Sequence, residues 1–196
     1  MKIRAAVLEK MGETPPYATS KPLSIVTVDL APPGHGEILV KIASAGLCHS
    51  DLSVINGDRP RPMPMALGHE AAGVVGQLGE GVSDLKIGDH VVVVFVPSCG
   101  HCAPCAEGRP ALREPGAAAM LSLPAVSLVA EERTLKGSYI GTCVPSRDIP
   151  RYLDLYAQGR LPVDKLLSGR LRLDDINHGF DLLHEGKAIR QVVVFP

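Results

Sequence analysis

A chain of 196 residues, 45% hydrophobic and 21% charged, has the composition of a globular protein and not of a disordered one. Its formal net charge of -1 gives no electrostatic reason to expect nucleic acid or an anionic membrane surface as a partner. The N-terminal segment meets charge again after Ala5-Ala6-Val7-Leu8, too short for a signal-peptide core, and the longest apolar run, Val91 to Pro97, is strand-sized. The expectation is a soluble, cytoplasmic protein.

In chain order, Ile3 to Leu8, Leu23 to Leu30 and Glu37 to Ala43 are short runs with β-branched residues, separated by Pro and Gly clusters such as Ala31-Pro32-Pro33-Gly34. Ala71 to Leu78 and His90 to Val96 follow, with turns at Gly79-Glu80-Gly81 and Gly88-Asp89. Many short strands with frequent turns predict a small barrel or sandwich. Residues 97–119 form a loop rich in Cys, Gly, Pro and Ala. Leu135 to Gly141 reads as a single strand, and Ile149 to Gln158 and Leu173 to His184 as helices. In the second helix Ile176, Phe180 and Leu183 share one face, and Asp174 or Asp175 favours its N-terminal end. Gly186 stops it, and Gln191 to Phe195 closes the chain as a strand.

Cysteine placement carries more than cysteine count. Three of five lie at Cys99, Cys102 and Cys105, with Cys48 and Cys143 apart. An odd, closely spaced set is poor for disulfides and better suited to metal. The informative stretch is Gly46-Leu47-Cys48-His49-Ser50-Asp51-Leu52, followed by Ala66-Leu67-Gly68-His69-Glu70-Ala71-Ala72-Gly73. A thiolate and an imidazole are ligands a catalytic zinc takes. Asp51 and Glu70 are carboxylates close enough in sequence to fix the tautomer of a zinc-bound histidine.

In combination these segments resemble the zinc-dependent medium-chain alcohol dehydrogenase family. Gly68-His69-Glu70 with Gly73, Gly79 and Val82 matches that family's zinc motif, and Cys48-His49-Ser50-Asp51 matches its first-ligand segment. The Cys99-x-x-Cys102-x-x-Cys105 loop is similar to its structural-zinc lobe, and Ile176 to Phe195 to its closing helix and strand. The resemblance implies a mainly β fold with some α, a GroES-like β-barrel catalytic domain plus a C-terminal α/β return segment. Residues 1–120 would be that domain, with the structural-zinc-type loop at 97–116; 121–142 would be a remnant of the nucleotide-binding domain; 143–196 would complete the catalytic domain. It further implies Cys48 and His69 as catalytic zinc ligands, Glu70 as an alternate ligand or a hydrogen-bonding neighbour, Asp51 as orienter of His69, Ser50 as the start of a proton relay, and His49 facing the phosphate or ribose of NAD(P). The substrate class implied is an alcohol or aldehyde, and the chemistry is Lewis-acid assistance to hydride release.

Three departures from the pattern bear on activity. There is no G-x-G-x-x-G: the closest approaches are Gly73-x-x-Gly76-x-x-Gly79 and Gly34-His35-Gly36. A complete Rossmann fold therefore has neither its phosphate-binding turn nor room for βαβ units of ~30 residues each. Met120 runs almost directly into Leu121-Ser122-Leu123-Pro124, a junction the family separates by most of its nucleotide domain, so an internal deletion is expected. That deletion removes the family's third zinc ligand, a cysteine; Cys143 is a candidate to replace it, but its place after the remnant strand reads more commonly as a small buried residue. At the structural site the fourth ligand position is Arg113, whose guanidinium cannot bind zinc, leaving His101 or Glu107 to complete a weaker set. The expectation is an alcohol dehydrogenase-family domain with negligible NAD(P)-linked turnover by itself. The alternatives are a non-catalytic zinc-binding barrel or an oligomerising one, in which the edge of Leu135 to Gly141 pairs with a second copy.

Overall fold

The computed structural model describes residues 1–95 and 143–196, with the isolated positions 126, 130 and 132. The chain divides into two compact units, one of Met1–Phe95 with Val163–Pro196 and one of Val96–Pro162. No helix among the described residues is long and apolar enough to cross a membrane.

The first unit is built on two sheets. Strand β1 (Lys2–Leu8) pairs antiparallel along its whole length with β2 (Leu23–Asp29), and at its end with the two-residue β4 (Met65–Ala66). The second sheet runs β6-β5-β3-β8-β7, with β3 at Ile38–Gly46, β5 at Ala71–Leu78, β6 at His90–Val93, β7 at Leu167–Leu171 and β8 at Arg190–Val194. Its pairings are antiparallel except β7 with β8. The parallel pair is joined through a short 3-10 turn, Leu173–Asp175, and helix α4 (Ile176–His184), so the C-terminal segment is an α/β return onto a β framework. Two short helices precede it: α1 (Tyr17–Ser20) and α2 (His49–Ile55).

Apolar residues from both ends of the chain make one core. Leu8 and Leu23 from the small sheet meet Leu52 and Ile55 of α2, Phe180 and Leu183 of α4, and Val193 of β8. Alternation along β8 and the shared face of Ile176, Phe180 and Leu183 direct their side chains inward, while β1 ends in three successive buried residues, Ala6 to Leu8. Polar staples lock α4 onto the N-terminal segment. Asp181, buried, accepts the amides of Tyr17 and Ala18, and the Asn177 side-chain amide bonds both the N–H and the C=O of Leu23.

Two glycines are required by close strand approach. A Cβ on Gly73 would lie 2.2 Å from the Lys41 carbonyl oxygen, and one on Gly79 would lie 1.9 Å from that of Gly34. A side chain at Gly73 would push β5 off β3, and one at Gly79 would push the turn after β5 off the loop before β3.

In the second unit, helix α3 (Pro145–Ala157) begins with proline in its first turn, where no donor is lost. The Asp148 carboxylate reaches back to accept the Val144 amide at 2.8 Å and pairs with Arg147 at 2.7 Å. The loop at 97–119 and the strand expected at Leu135 to Gly141 lie outside the described residues.

Observed and expected elements differ in instructive places. Strand β3 continues to Gly46, three residues beyond expectation, because Ala45 and Gly46 pair with Val193 and Val192 of β8. Helices α1 and α2 and strands β4 and β7 have no counterpart in the sequence reading. The helices and β4 are too short to show a period, whereas β7 alternates in burial along its five residues, a pattern the sequence reading does not pick out.

Candidate metal centre

The site is assembled by the register of β3 against β5. Ala45 faces Ala71, so the residues just after β3 and just before β5 come together. The Gly46 amide donates to the Glu70 carbonyl at 2.7 Å and fastens the two segments. Leu47, buried, turns the chain, and Cys48 caps α2 in an extended conformation (φ -121, ψ 147). Ser50 and Asp51 then fall in the first helical turn. On the other segment Gly68, with φ +122, makes the turn that delivers His69 and Glu70.

One donor atom from each of Cys48, His69 and Glu70 lies within 4.8 Å of the others, and all three side chains are half-buried. The Ser50 hydroxyl stands between two of them, 3.0 Å from Cys48 Sγ and 3.1 Å from His69 Nε2. It carries one proton and can give it to either. The opposite ring nitrogen, His69 Nδ1, is 3.1 Å from Asp51 Oδ1. With Nδ1–H donating to that carboxylate, Nε2 keeps its lone pair on the side of Cys48 and Ser50. Burial pushes the Asp51 carboxyl above its ordinary value, while the charge and hydrogen bond of His69 pull it back. The Phe95 ring meets the His69 ring edge-on, with centroids 5.5 Å apart.

Glu70 has a partner that sequence reasoning missed. Arg190, the first residue of β8, donates to Glu70 Oε2 at 2.6 Å and to the Leu47 carbonyl at 3.4 Å. Gly46 leaves room for this carboxylate, since a Cβ there would lie 2.7 Å from Glu70 Oε2. Nothing in the sequence around Arg190 marks it. Only the β3–β8 pairing brings it to a residue 120 positions earlier.

Of the residues singled out in the sequence, Cys48, Ser50, Asp51, His69 and Glu70 converge here. His49 is exposed, and its carbonyl accepts the Ser53 hydroxyl at 2.9 Å. Cys143 belongs to the second unit, one residue before the cap of α3, as a partly exposed free cysteine. Cys99, Cys102, Cys105, Arg113, His101 and Glu107 lie outside the described residues.

The donor set fits zinc. A thiolate, an imidazole nitrogen and a carboxylate oxygen are three ligands of the kinds zinc binds, and three protein ligands leave a fourth position for water or substrate. Asp51 supplies the outer hydrogen bond that a metal-bound imidazole ordinarily has.

Residues 34–144 match the alcohol dehydrogenase GroES-like domain. The match covers more than half of the chain, which belongs to that family. An S-(hydroxymethyl)glutathione dehydrogenase of Synechocystis sp. is 46% identical over 110 residues, which are 56% of this chain and 28% of that protein. The chain thus spans less than a third of the length of the curated relatives it matches. Among solved structures, benzyl alcohol dehydrogenase from Acinetobacter calcoaceticus aligns over 100% of both chains with a TM-score of 0.84 at 16% identity, a likeness of fold. A cobalt- and zinc-bound thermostable alcohol dehydrogenase from Pyrobaculum aerophilum aligns over 58% of this chain and 33% of its own, with a TM-score of 0.51 and 35% identity.

Proposed function

We propose that the chain is a zinc-binding domain of the catalytic kind found in alcohol dehydrogenases, with negligible NAD(P)-dependent turnover by itself. The observation that carries this reading is the meeting of Cys48, His69 and Glu70, with Asp51 behind the imidazole and Ser50 beside the donors. In it, Cys48 and His69 are the ligands and Glu70 is the third or alternate one. Zinc held there supplies Lewis-acid polarisation of an alcohol oxygen.

The chain's own residues have separate tasks. Asp51 holds the His69 ring in the tautomer that leaves Nε2 free. Ser50 carries a hydroxyl proton next to the thiolate and the imidazole, where it can accept the proton of a nearby alcohol and pass its own on. Arg190 restrains Glu70 and opposes its approach to a cation. His49, exposed at the start of α2, is the residue assigned to a dinucleotide phosphate or ribose. The lack of a G-x-G-x-x-G turn anywhere in the sequence supports weak cofactor binding. In the same reading residues 121–142 are a remnant of a nucleotide-binding domain, and 143–196 complete the catalytic one.

Two titrations test this. Cobalt(II) added to the metal-free chain should bind at the Cys48 site with a thiolate charge-transfer band that disappears in Cys48→Ser. NADH added to the zinc-loaded chain in a calorimeter should give no saturable heat, and ethanol or benzyl alcohol should not reduce NAD. Absence of the cobalt band removes the zinc reading. Saturable NADH binding with turnover would falsify the claim of inactivity.

A further inference from the structure

Cys48 follows the buried Leu47, and residues from the far end of the chain grip Leu47 on three sides. Its N–H donates to the Gln191 carbonyl at 3.1 Å, and its own carbonyl accepts Arg190 at 3.4 Å. Its side chain lies against Gly179 of α4, where an added Cβ would stand 2.7 Å from Leu47 Cδ2. The Gln191 side chain, 1% exposed, closes the joint by donating from Nε2 to the Gly179 carbonyl at 2.9 Å.

We propose that Gly179 is a positioning residue for the metal centre, setting through Leu47 where Cys48 stands relative to His69. Glycine weakens the middle of a helix, so its place inside α4 calls for a packing reason. The close approach of Leu47 supplies one. A Cβ at position 179 would also meet Leu171 Cδ1 at 2.5 Å. Leu171, partly exposed on the outer strand β7, has room to yield. Leu47 is 3% exposed and held at both backbone groups, so its displacement passes to the next residue, Cys48. The consequence for metal rests on the zinc reading; the placement of Cys48 does not.

The placement is read in the metal-free chain from the nuclear Overhauser contact between the Cys48 β-protons and the His69 ring, whose donor atoms lie within 4.8 Å of each other. Gly179→Ala should weaken that contact in a chain that still folds, since alanine is the better helix former. It should also lower cobalt(II) affinity at the Cys48 site by roughly 10-fold, the scale of changes made behind metal ligands. Gln191→Met keeps the volume, removes the tie to α4 and should weaken the contact as well. Asp181→Ala loosens α4 about 200° around the helix from Gly179 and should leave the contact as it is.

An unchanged contact in folded Gly179→Ala overturns the proposal. An unchanged contact in Gln191→Met does so even if Gly179→Ala fails to fold. Equal weakening in Asp181→Ala overturns it too, because loosening the helix anywhere would then be enough. A chain that binds no cobalt at Cys48 removes the zinc reading, and the Overhauser contact still decides the positioning one.

Discussion

The Glu70 carboxylate lies 2.6 Å from the guanidinium of Arg190, a cation delivered by the far end of the chain to one of three clustered donors. A charge-assisted contact of this kind competes with a divalent ion for the same oxygen. Replacing Arg190 with alanine should therefore raise cobalt(II) affinity, by roughly 10-fold on the scale of outer-sphere effects. Glu70→Gln should lower it. Spectroscopic titration of the two variants measures both, and an Arg190→Ala chain that binds less tightly would show the arginine to be a support for the carboxylate.

Asp51 should matter more to metal than to folding. Asparagine in its place keeps the volume but loses the anionic acceptor for His69 Nδ1–H. Metal affinity is expected to fall roughly 10- to 100-fold. Competition with a chromophoric chelator reads this directly, and unchanged affinity would remove Asp51 from the site.

At Asp148 the expectation concerns pH. The Arg147 guanidinium and the Val144 amide hold its carboxyl down at about 2, below the ordinary 3.8. A depressed carboxyl stabilises the fold above its unfolded value, and that contribution drains away as pH falls from about 3.8 through about 2. The first turn of α3 should then fray. Amide exchange at Val144 followed across this range should accelerate in the native chain, while Asp148→Asn should show little pH response there.

Asp181 tests the staple between chain ends. Alanine at this buried position strands the Tyr17 amide and should cost roughly 2–3 kcal/mol. Chemical denaturation should show the loss, and the cobalt spectrum of the folded fraction should be unchanged, since the staple lies away from the donors.

Much of this arrangement could be read from residues alone. The turn residues Gly79-Glu80-Gly81 that bound Ala71–Leu78 and the Val run in Arg190–Val194 mark β5 and β8, because both signals are local in the sequence. The candidate donors were legible through resemblance to a known family, carried by two segments together: Cys48 with His49, Ser50 and Asp51, then Gly68-His69-Glu70. Helix α2, which holds Ser50 and Asp51 and is capped by Cys48, was not, since seven residues make too few turns for a periodic face. Arg190 was hidden for a different reason. Its role exists only through the pairing of β8 with β3, a contact no local pattern encodes.

That pairing has an implication for synthesis. Strand β8 fills the middle of its sheet, between β3 and β7. During translation β3 must wait with one edge uncovered until some 150 later residues have emerged, at ~5–20 residues per second. For those seconds the half-built sheet is open to strands from other nascent chains. Ribosome-bound intermediates of this protein should lean on holding chaperones until β8 has emerged and closes the gap.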